Sequence, residues 1–226
     1  MEEMKSDREV SEFLLRACHD LRSPARTVRT YSELFLRDAG GLQGPEVAQR
    51  IGFIVDGARK MDALLDGLAA YAVALQTDPS SFQSARLDVL LRSVLAKMDK
   101  ELRAGGAEVV YGELPLVPGN LDRLMQVFEH LLRNGLVHRG EAAPRISIDA
   151  ARHAEEWLLT VRDNGPGVET ESLDKIFRPF ERLQGKSGTG MGLAICRAIV
   201  ERHGGRIWAE SDGQRGTVFC FTLPAG

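Results

Sequence analysis

From Val10 onward the apolar residues recur at Val10, Leu14, Ala17, Leu21, Pro24, Val28, Tyr31 and Phe35, in steps that alternate four and three. That spacing lays one stripe along an α-helix and is the seam of a helical bundle. Gly40, Gly41 and Gly44 interrupt it, and a second stripe follows at Val47, Ile51, Ile54, Ala58, Met61, Leu65, Leu68, Ala72 and Leu75 with the same stepping. Two long helices joined by a short glycine-containing turn form an antiparallel hairpin, and one hairpin cannot cover both sides of its own seam. Two copies pairing into a four-helix bundle solve this, which makes residues 8–77 a homodimerisation unit. The other reading is a hairpin lying along the rest of the chain.

Residues 77–84, TDPSSFQS, are polar and carry a proline, and they read as a linker. Beyond it the period changes. Asp88 is placed to cap a helix running to about Arg103 and stopped by Gly105 and Gly106, after which GAEVVYGEL reads as a strand. Asn120 caps a second helix, LDRLMQVFEHLLRNGLVH. RISIDAAR and EEWLLTVRD form a hairpin, MGLAICRAIVERH is a helix stopped by Gly204 and Gly205, and GRIWAES with GTVFCFTLP closes the chain as a second hairpin. Strands and helices segregated in this way give an α+β sandwich, a mixed or antiparallel sheet covered by helices on one face.

Composition narrows the function. The 226 residues carry 29 Lys+Arg against 32 Asp+Glu, a net charge of -3. That balance argues against a nucleic-acid partner held by bulk positive charge. No window approaches the roughly 18 apolar residues that cross a bilayer, and the charged start MEEMKSDREV does not read as a signal peptide, so no membrane span and a cytoplasmic location are expected. Cys18, Cys196 and Cys220 lack the spacing of a disulfide framework or a zinc site. Glycine is the unusual entry in the composition: eleven of the 23 fall after residue 160, six of them in two clusters.

The first cluster, DNGPGV from Asp163 to Val168, directly follows the strand WLLTVR. An acid followed by closely spaced glycines brings backbone near a ligand and offers one carboxylate acceptor, suited to an exocyclic amine such as adenine's; the plain alternative is a β-turn. The second, GKSGTGMGL from Gly185 to Leu193, enters a helix, so that successive amides and the helix N-terminus converge on one anion. It matches neither the P-loop nor the dinucleotide fingerprint. On the preceding helix His130 and Asn134 share a face. The Asn134 amide oxygen suits Mg²⁺, whereas His130 either donates to a phosphate or packs.

In the first hairpin His19-Asp20-Leu21-Arg22-Ser23-Pro24 lies inside helix one, with His19 directed away from the seam. A neutral imidazole there is an accessible nucleophile, and Asp20 can take its proton or fix its tautomer. Pro24 removes a helical hydrogen bond and is expected to kink the helix beside His19.

Taken in order, these segments resemble the catalytic core of the sensor histidine kinases of two-component signalling. HDLRSP resembles the family's H-box, LLRNGLVH its N-box, DNGPG its G1 box, IFRPF its F-box and GTGMGLAI its G2 box. The runs HDLRSPARTVRTYSELF, IFRPFERL and IVERHGGRIWAES are most similar to the phytochrome-like branch. The resemblance implies a dimerisation and phosphotransfer domain over residues 1–77 and a Bergerat-type ATP-binding domain over 82–226. It implies that His19 is the phosphoacceptor and Asp20 its assisting base, using ATP and Mg²⁺. Asn134 then holds Mg²⁺, and Asp163 accepts from adenine, with Gly165 and Gly167 shaping the base pocket and Thr217 supporting Asp163. Gly188, Gly190, Gly192 and Leu193 line the phosphates, and Phe177 and Phe180 anchor the lid. Phosphoryl passes on to a response regulator receiver domain, and a sensory domain is expected upstream.

The chain departs from the family pattern at four places. His130 replaces the first Asn of the N-box. Gly135 and Val137 replace Ala and Lys, leaving His138, Arg139, Arg182 or Lys186 as substitute cations. The lid ERLQGKS is short, and Ser23 stands where phosphatase-competent members carry Thr or Asn. These departures leave a degenerate, scaffold-only kinase as the alternative. A bare ATPase of the same fold is disfavoured, because Glu129 points about 100° away from His130 on the helix.

Overall fold

The computed structural model describes residues 15, 18, 22, 25, 26, 28–30, 32–34, 36, 37, 45–181, 188–213 and 215–225. His19, Asp20, Ser23 and the expected kink at Pro24 lie outside the described residues, as do Arg182 and Lys186. The chain divides into two compact units, Met1–Gln76 and Thr77–Gly226.

In the first unit the described residues between 15 and 37 are helical, and a 31-residue helix, α1, spans Pro45–Leu75. Cys18, Ala25 and Leu65 form a buried cluster, with Leu68 and Ala69 packed against it. Three cross-helix ion pairs run in opposite sequence directions, Arg22 with Asp66, Arg29 with Asp62 and Glu33 with Arg59, which fixes the two helices antiparallel. The two exposed pairs, Arg22–Asp66 and Glu33–Arg59, are worth about 0.2–1 kcal/mol each, so they set direction and register more than stability. The second stripe is only half covered. Ile51, Ala58, Leu65 and Ala72 are buried, whereas Ile54 and Met61 each stay 48% exposed, because a lone pair of helices covers a single side of the seam.

The polar stretch after Gln76 carries local structure of its own. Asp78 accepts from the Ser80 amide at 2.9 Å and caps a short 3-10 turn at Pro79–Ser81. Strand β1 (Gln83–Arg86) then leads straight into α2 (Leu87–Gly105). Asp88 is therefore not the cap. With β1 running into the helix, position 86 sets the entry and the Leu87 amide bonds the Pro115 carbonyl at 3.1 Å. Asp88 sits in the first turn, paired with Arg86 and Arg92. Gly106, with φ +64°, closes the helix.

Strands β2 (Glu108–Tyr111) and β3 (Leu116–Gly119) follow. The latter pairs antiparallel with β1, in a small ribbon absent from the sequence reading. Helix α3 (Leu121–Val137) starts at Asn120, whose side chain accepts from the Arg123 amide as expected. Then come β4 (Arg145–His153), β5 (Glu156–Asp163), α4 (Gly192–Arg202), β6 (Ile207–Glu210) and β7 (Val218–Pro224).

The main sheet has the order β2-β4-β5-β7-β6, parallel between β2 and β4 and antiparallel elsewhere. Helices α2, α3 and α4 pack side by side over one face, the α+β sandwich expected. The core between the layers is fully buried: Leu91 and Met98 of α2, Leu124, Phe128 and Leu131 of α3, and Ile195 and Ile199 of α4 meet Ile146, Ile148, Leu159, Phe219 and Phe221 of the sheet. Phe128 meets Phe221 edge-on with centroids 6.3 Å apart. Among the described residues no helix is long and apolar enough to cross a membrane.

A buried imidazole ties the ends of three elements together. His203, just past α4, has Nδ1 2.7 Å from the Ile199 carbonyl and accepts the Asn120 amide at Nε2 (3.0 Å), while Phe82 stacks on its ring at 4.4 Å. That pattern requires the neutral ring protonated at Nδ1. Burial pushes its pKa below 6.5, partly opposed by the Ile199 carbonyl. Below pH 6.5 the unfolded chain then binds more protons than the folded one, so this contribution to stability is complete above that pH and is lost as pH falls. The urea midpoint of His203→Gln, whose amide can donate and accept at both places, is expected to drop less between pH 7.5 and pH 5 than that of the wild type. Equal drops would show that His203 does not carry this dependence.

Candidate functional site

The end of β5 and the start of α4 converge beside α3, and the glycine clusters sit at both. Asp163 closes β5, pairing with Ile146 of β4 in the ladder. Its Oδ1 accepts from the Gly165 amide at 2.8 Å and from the Thr217 amide at 3.2 Å, so two backbone donors from separate loops fix one carboxylate. Thr217 is buried and acts here through its backbone, and its carbonyl also takes the Asp163 amide at 2.9 Å. Gly165 runs so close to α3's end that a Cβ on it would lie 2.5 Å from the His138 carbonyl oxygen. Gly167 completes the turn with φ +81°. Asn164 clamps the chain before β4: its Oδ1 accepts from Arg145 at 2.8 Å and its Nδ2 donates to the Ala143 carbonyl at 2.9 Å.

Gly135 has a packing reason. A Cβ there would stand 2.9 Å from Ile146 Cδ1 and 3.4 Å from Asp163 Cβ, so Ile146 already occupies the volume a larger residue would fill. Beyond Asp163, Phe177 is buried edge-on to Phe219, with centroids 6.4 Å apart. Phe180 is not anchored in this way. It is 51% exposed and holds a left-handed backbone with φ +64°, a conformation uncommon for a side chain of its size. Gly190 lies against it, where a Cβ would come within 2.7 Å of the Phe180 and Glu181 backbone. Gly188 has open space around its Cβ position, and Leu193 follows Gly192 in the first turn of α4.

His130 packs against that same first turn, its Nδ1 3.2 Å from where a Gly192 Cβ would be. Its Nε2 is buried with no hydrogen-bond partner. Burial, and secondarily the charge of Arg133, bring its pKa down to about 4, so the ring is neutral at pH 7. Asn134 is half-buried one turn on, on the same face of α3. A glycine-lined turn at a helix N-terminus, one amide oxygen and an unsatisfied imidazole nitrogen fit a polyanion carrying a hard cation that keeps most of its ligands as water and phosphate.

Arg139 does not serve as the substitute cation, since it donates to the Gly105 carbonyl at 3.0 Å, the end of α2; Val137 is exposed. Glu129 is committed to the other side of α3, paired with Lys97 at 2.8 Å and Arg133 at 3.2 Å, so no carboxylate stands at the His130 position. Asn164 and Ser211 carry no sequence signal of their own, because each has a partner in a loop some twenty or forty residues away. The Gly-rich stretch after Ser211 was the only local sign of a turn there.

Residues 119–226 match the family described as histidine kinase-, DNA gyrase B- and HSP90-like ATPase. Cyanobacterial phytochrome A of Nostoc sp. (strain PCC 7120) is 37% identical over 225 residues, 98% of this chain and 29% of its own length. Phytochrome-like protein Cph1 of Synechocystis sp. (strain PCC 6803) is 33% identical, over 98% of this chain and 30% of its own. The chain thus spans about three tenths of these curated relatives. Among solved structures, the catalytic domain of the histidine kinase ThkA is 31% identical with TM-score 0.57, over 64% of this chain and 98% of that one. ThkA in complex with the response regulator TrrA is 25% identical with TM-score 0.67, over 100% of this chain and 66% of that one. With its boxes in the family's order, and with Asp163 and Gly190 set in the turns just described, the chain belongs to the sensor histidine kinases, its second unit being their gyrase B- and HSP90-like ATPase domain.

Proposed function

We propose that the chain is an ATP-dependent protein-histidine kinase acting in the cytoplasm as a homodimer, with residues 1–77 as phosphotransfer domain and 82–226 as ATP-binding domain. The observation that carries this reading is the Asp163 carboxylate held by two amides next to a glycine-lined helix N-terminus. Asp163 accepts from the adenine amine in a pocket shaped by Gly165 and Gly167. The Gly188–Leu193 turn takes the phosphates, with the neutral His130 ring beside it. Asn134 holds Mg²⁺, which when bound neutralises charge on the transferring phosphoryl group.

His19 attacks the γ-phosphorus. A nitrogen–phosphorus bond forms as the bond to the bridging oxygen breaks, ADP leaves with that electron pair, and Asp20 receives the imidazole proton. The phosphoryl group then passes to an aspartate of a response regulator receiver domain, consistent with the complex known for ThkA. A sensory domain upstream supplies the signal. The scaffold-only alternative gains no support from a pocket built this tightly.

The half-covered stripe on α1 favours the dimer: Ile54 and Met61 lie seven residues apart on one face, with Val28 and Leu36 also exposed on the first helix. Burying a side chain of that size is worth about 1.5–3 kcal/mol. Ile54→Glu combined with Met61→Glu is expected to shift the protein from dimer to monomer by light scattering at micromolar concentration. An unchanged mass would remove the bundle reading. Incubation with γ-labelled ATP and Mg²⁺ is expected to give an acid-labile, base-stable phosphoprotein that is absent in His19→Gln. Acid-stable label, or label surviving in that variant, would overturn the kinase assignment.

A further inference from the structure

Asp163 is held by two loops, and those loops are joined a second time by one oxygen. Ser211 directly follows β6, and its Oγ accepts from the Val168 amide at 3.0 Å and from the Gly213 amide at 3.2 Å while donating to the Gly216 carbonyl at 2.8 Å. A hydroxyl has one donor and two acceptor positions, and here all three are used. Val168 ends the DNGPGV turn that supplies the Gly165 amide, and Gly216 precedes Thr217, which supplies the other amide. Ser211 therefore closes a ring through both arms that grip the carboxylate.

The ring resists movement in one direction only. Gly216 already passes so close to β5 that a Cβ on it would sit 2.0 Å from the Asp163 carbonyl oxygen, with φ +93°. The loop cannot move nearer; the bond from the Asp163 amide to the Thr217 carbonyl holds it on the β5 side, and a tether on the outer side adds to that hold on the Thr217 amide. Within the second unit Ser211 supplies that tether for both arms at once.

We infer that Ser211 is a positioning residue that sets nucleobase selectivity by fixing the plane of the Asp163 carboxylate. This rests on the proposed role of Asp163 toward adenine. A carboxylate held in place favours a base that presents an amine there and repels one that presents a carbonyl, since an ionised carboxylate can only accept. Freed of its tether it can turn aside, which weakens the amine-bearing base and relieves the carbonyl-bearing one.

The test measures binding of ADP and of GDP, with Mg²⁺, to the full chain by calorimetry. Ser211→Ala is expected to weaken ADP about tenfold, the loss of one well-made hydrogen bond, and to leave GDP unchanged or tighter, so the ADP-to-GDP preference collapses. Ser211→Thr, which keeps the hydroxyl, is expected to restore the preference. Ser211→Cys, a weaker hydrogen-bonding group, is expected to fall between and serves where the alanine variant does not fold. Asp163→Asn separates the two readings. If it abolishes the preference while Ser211→Ala and Ser211→Cys lower only the urea midpoint, Ser211 is structural and the inference fails alone. If Asp163→Asn leaves the preference intact, the assignment of Asp163 fails and takes the inference with it.

Discussion

One carboxylate oxygen organises the nucleotide side of this protein. Asp163 Oδ1 receives amides from Gly165, two residues on, and from Thr217, which reaches it from the loop just before β7. For both to arrive, the backbone must pass the His138 carbonyl on one side and the Asp163 carbonyl on the other at distances no side chain tolerates, which is why glycine stands at 165 and 216. The same crowding reaches α3, where Gly135 gives way to Ile146 next to Asp163. The β5 end, the helix that carries Asn134 and the last hairpin thus meet around one part-buried carboxylate oxygen, within a very small volume.

What the sequence made legible was what is local. The helices α2, α3 and α4 announce themselves because each has a repeating apolar face and local end signals, Asn120 before α3 and Gly106 after α2. The glycine clusters were equally visible, since a required close approach leaves only one residue type. The ribbon of β1 and β3 was not visible: each strand has four residues, one holds Pro118, and their pairing joins positions thirty or more residues apart. Asp88 shows a local preference overruled by tertiary structure, because a helix entered directly from a strand leaves no free position for a cap. Asn164, and Ser211 in its bond to the Val168 amide, act through partners that no window of sequence brings together. His130 was noticed for its position, but its burial and neutral state emerge only once α4 is packed against it.

The first unit follows a different logic. Among the described residues its buried cluster is built on Cys18, Ala25 and Leu65, and the Arg22–Asp66 and Glu33–Arg59 pairs are largely exposed. Specificity of direction comes from the order of charges, acid opposite base three times over, while much of the apolar stripe on α1 remains open. The ATP-binding unit completes its core internally, with Phe128, Phe219 and Phe221 almost wholly enclosed.

The stack of Phe82 on His203 bears on how the second unit receives force. Phe82 stands near the unit's entrance, and the ring beneath it holds the amide at the head of α3. A pull or twist on the backbone there does not need to travel through the five-stranded sheet. It passes through a 4.4 Å ring contact and one 3.0 Å hydrogen bond to the head of the helix that bears His130 and Asn134. Beside the β1–β3 ladder, the head of α3 is thus reached through an aromatic contact, and the imidazole there cannot take a second proton without letting go of the Asn120 amide.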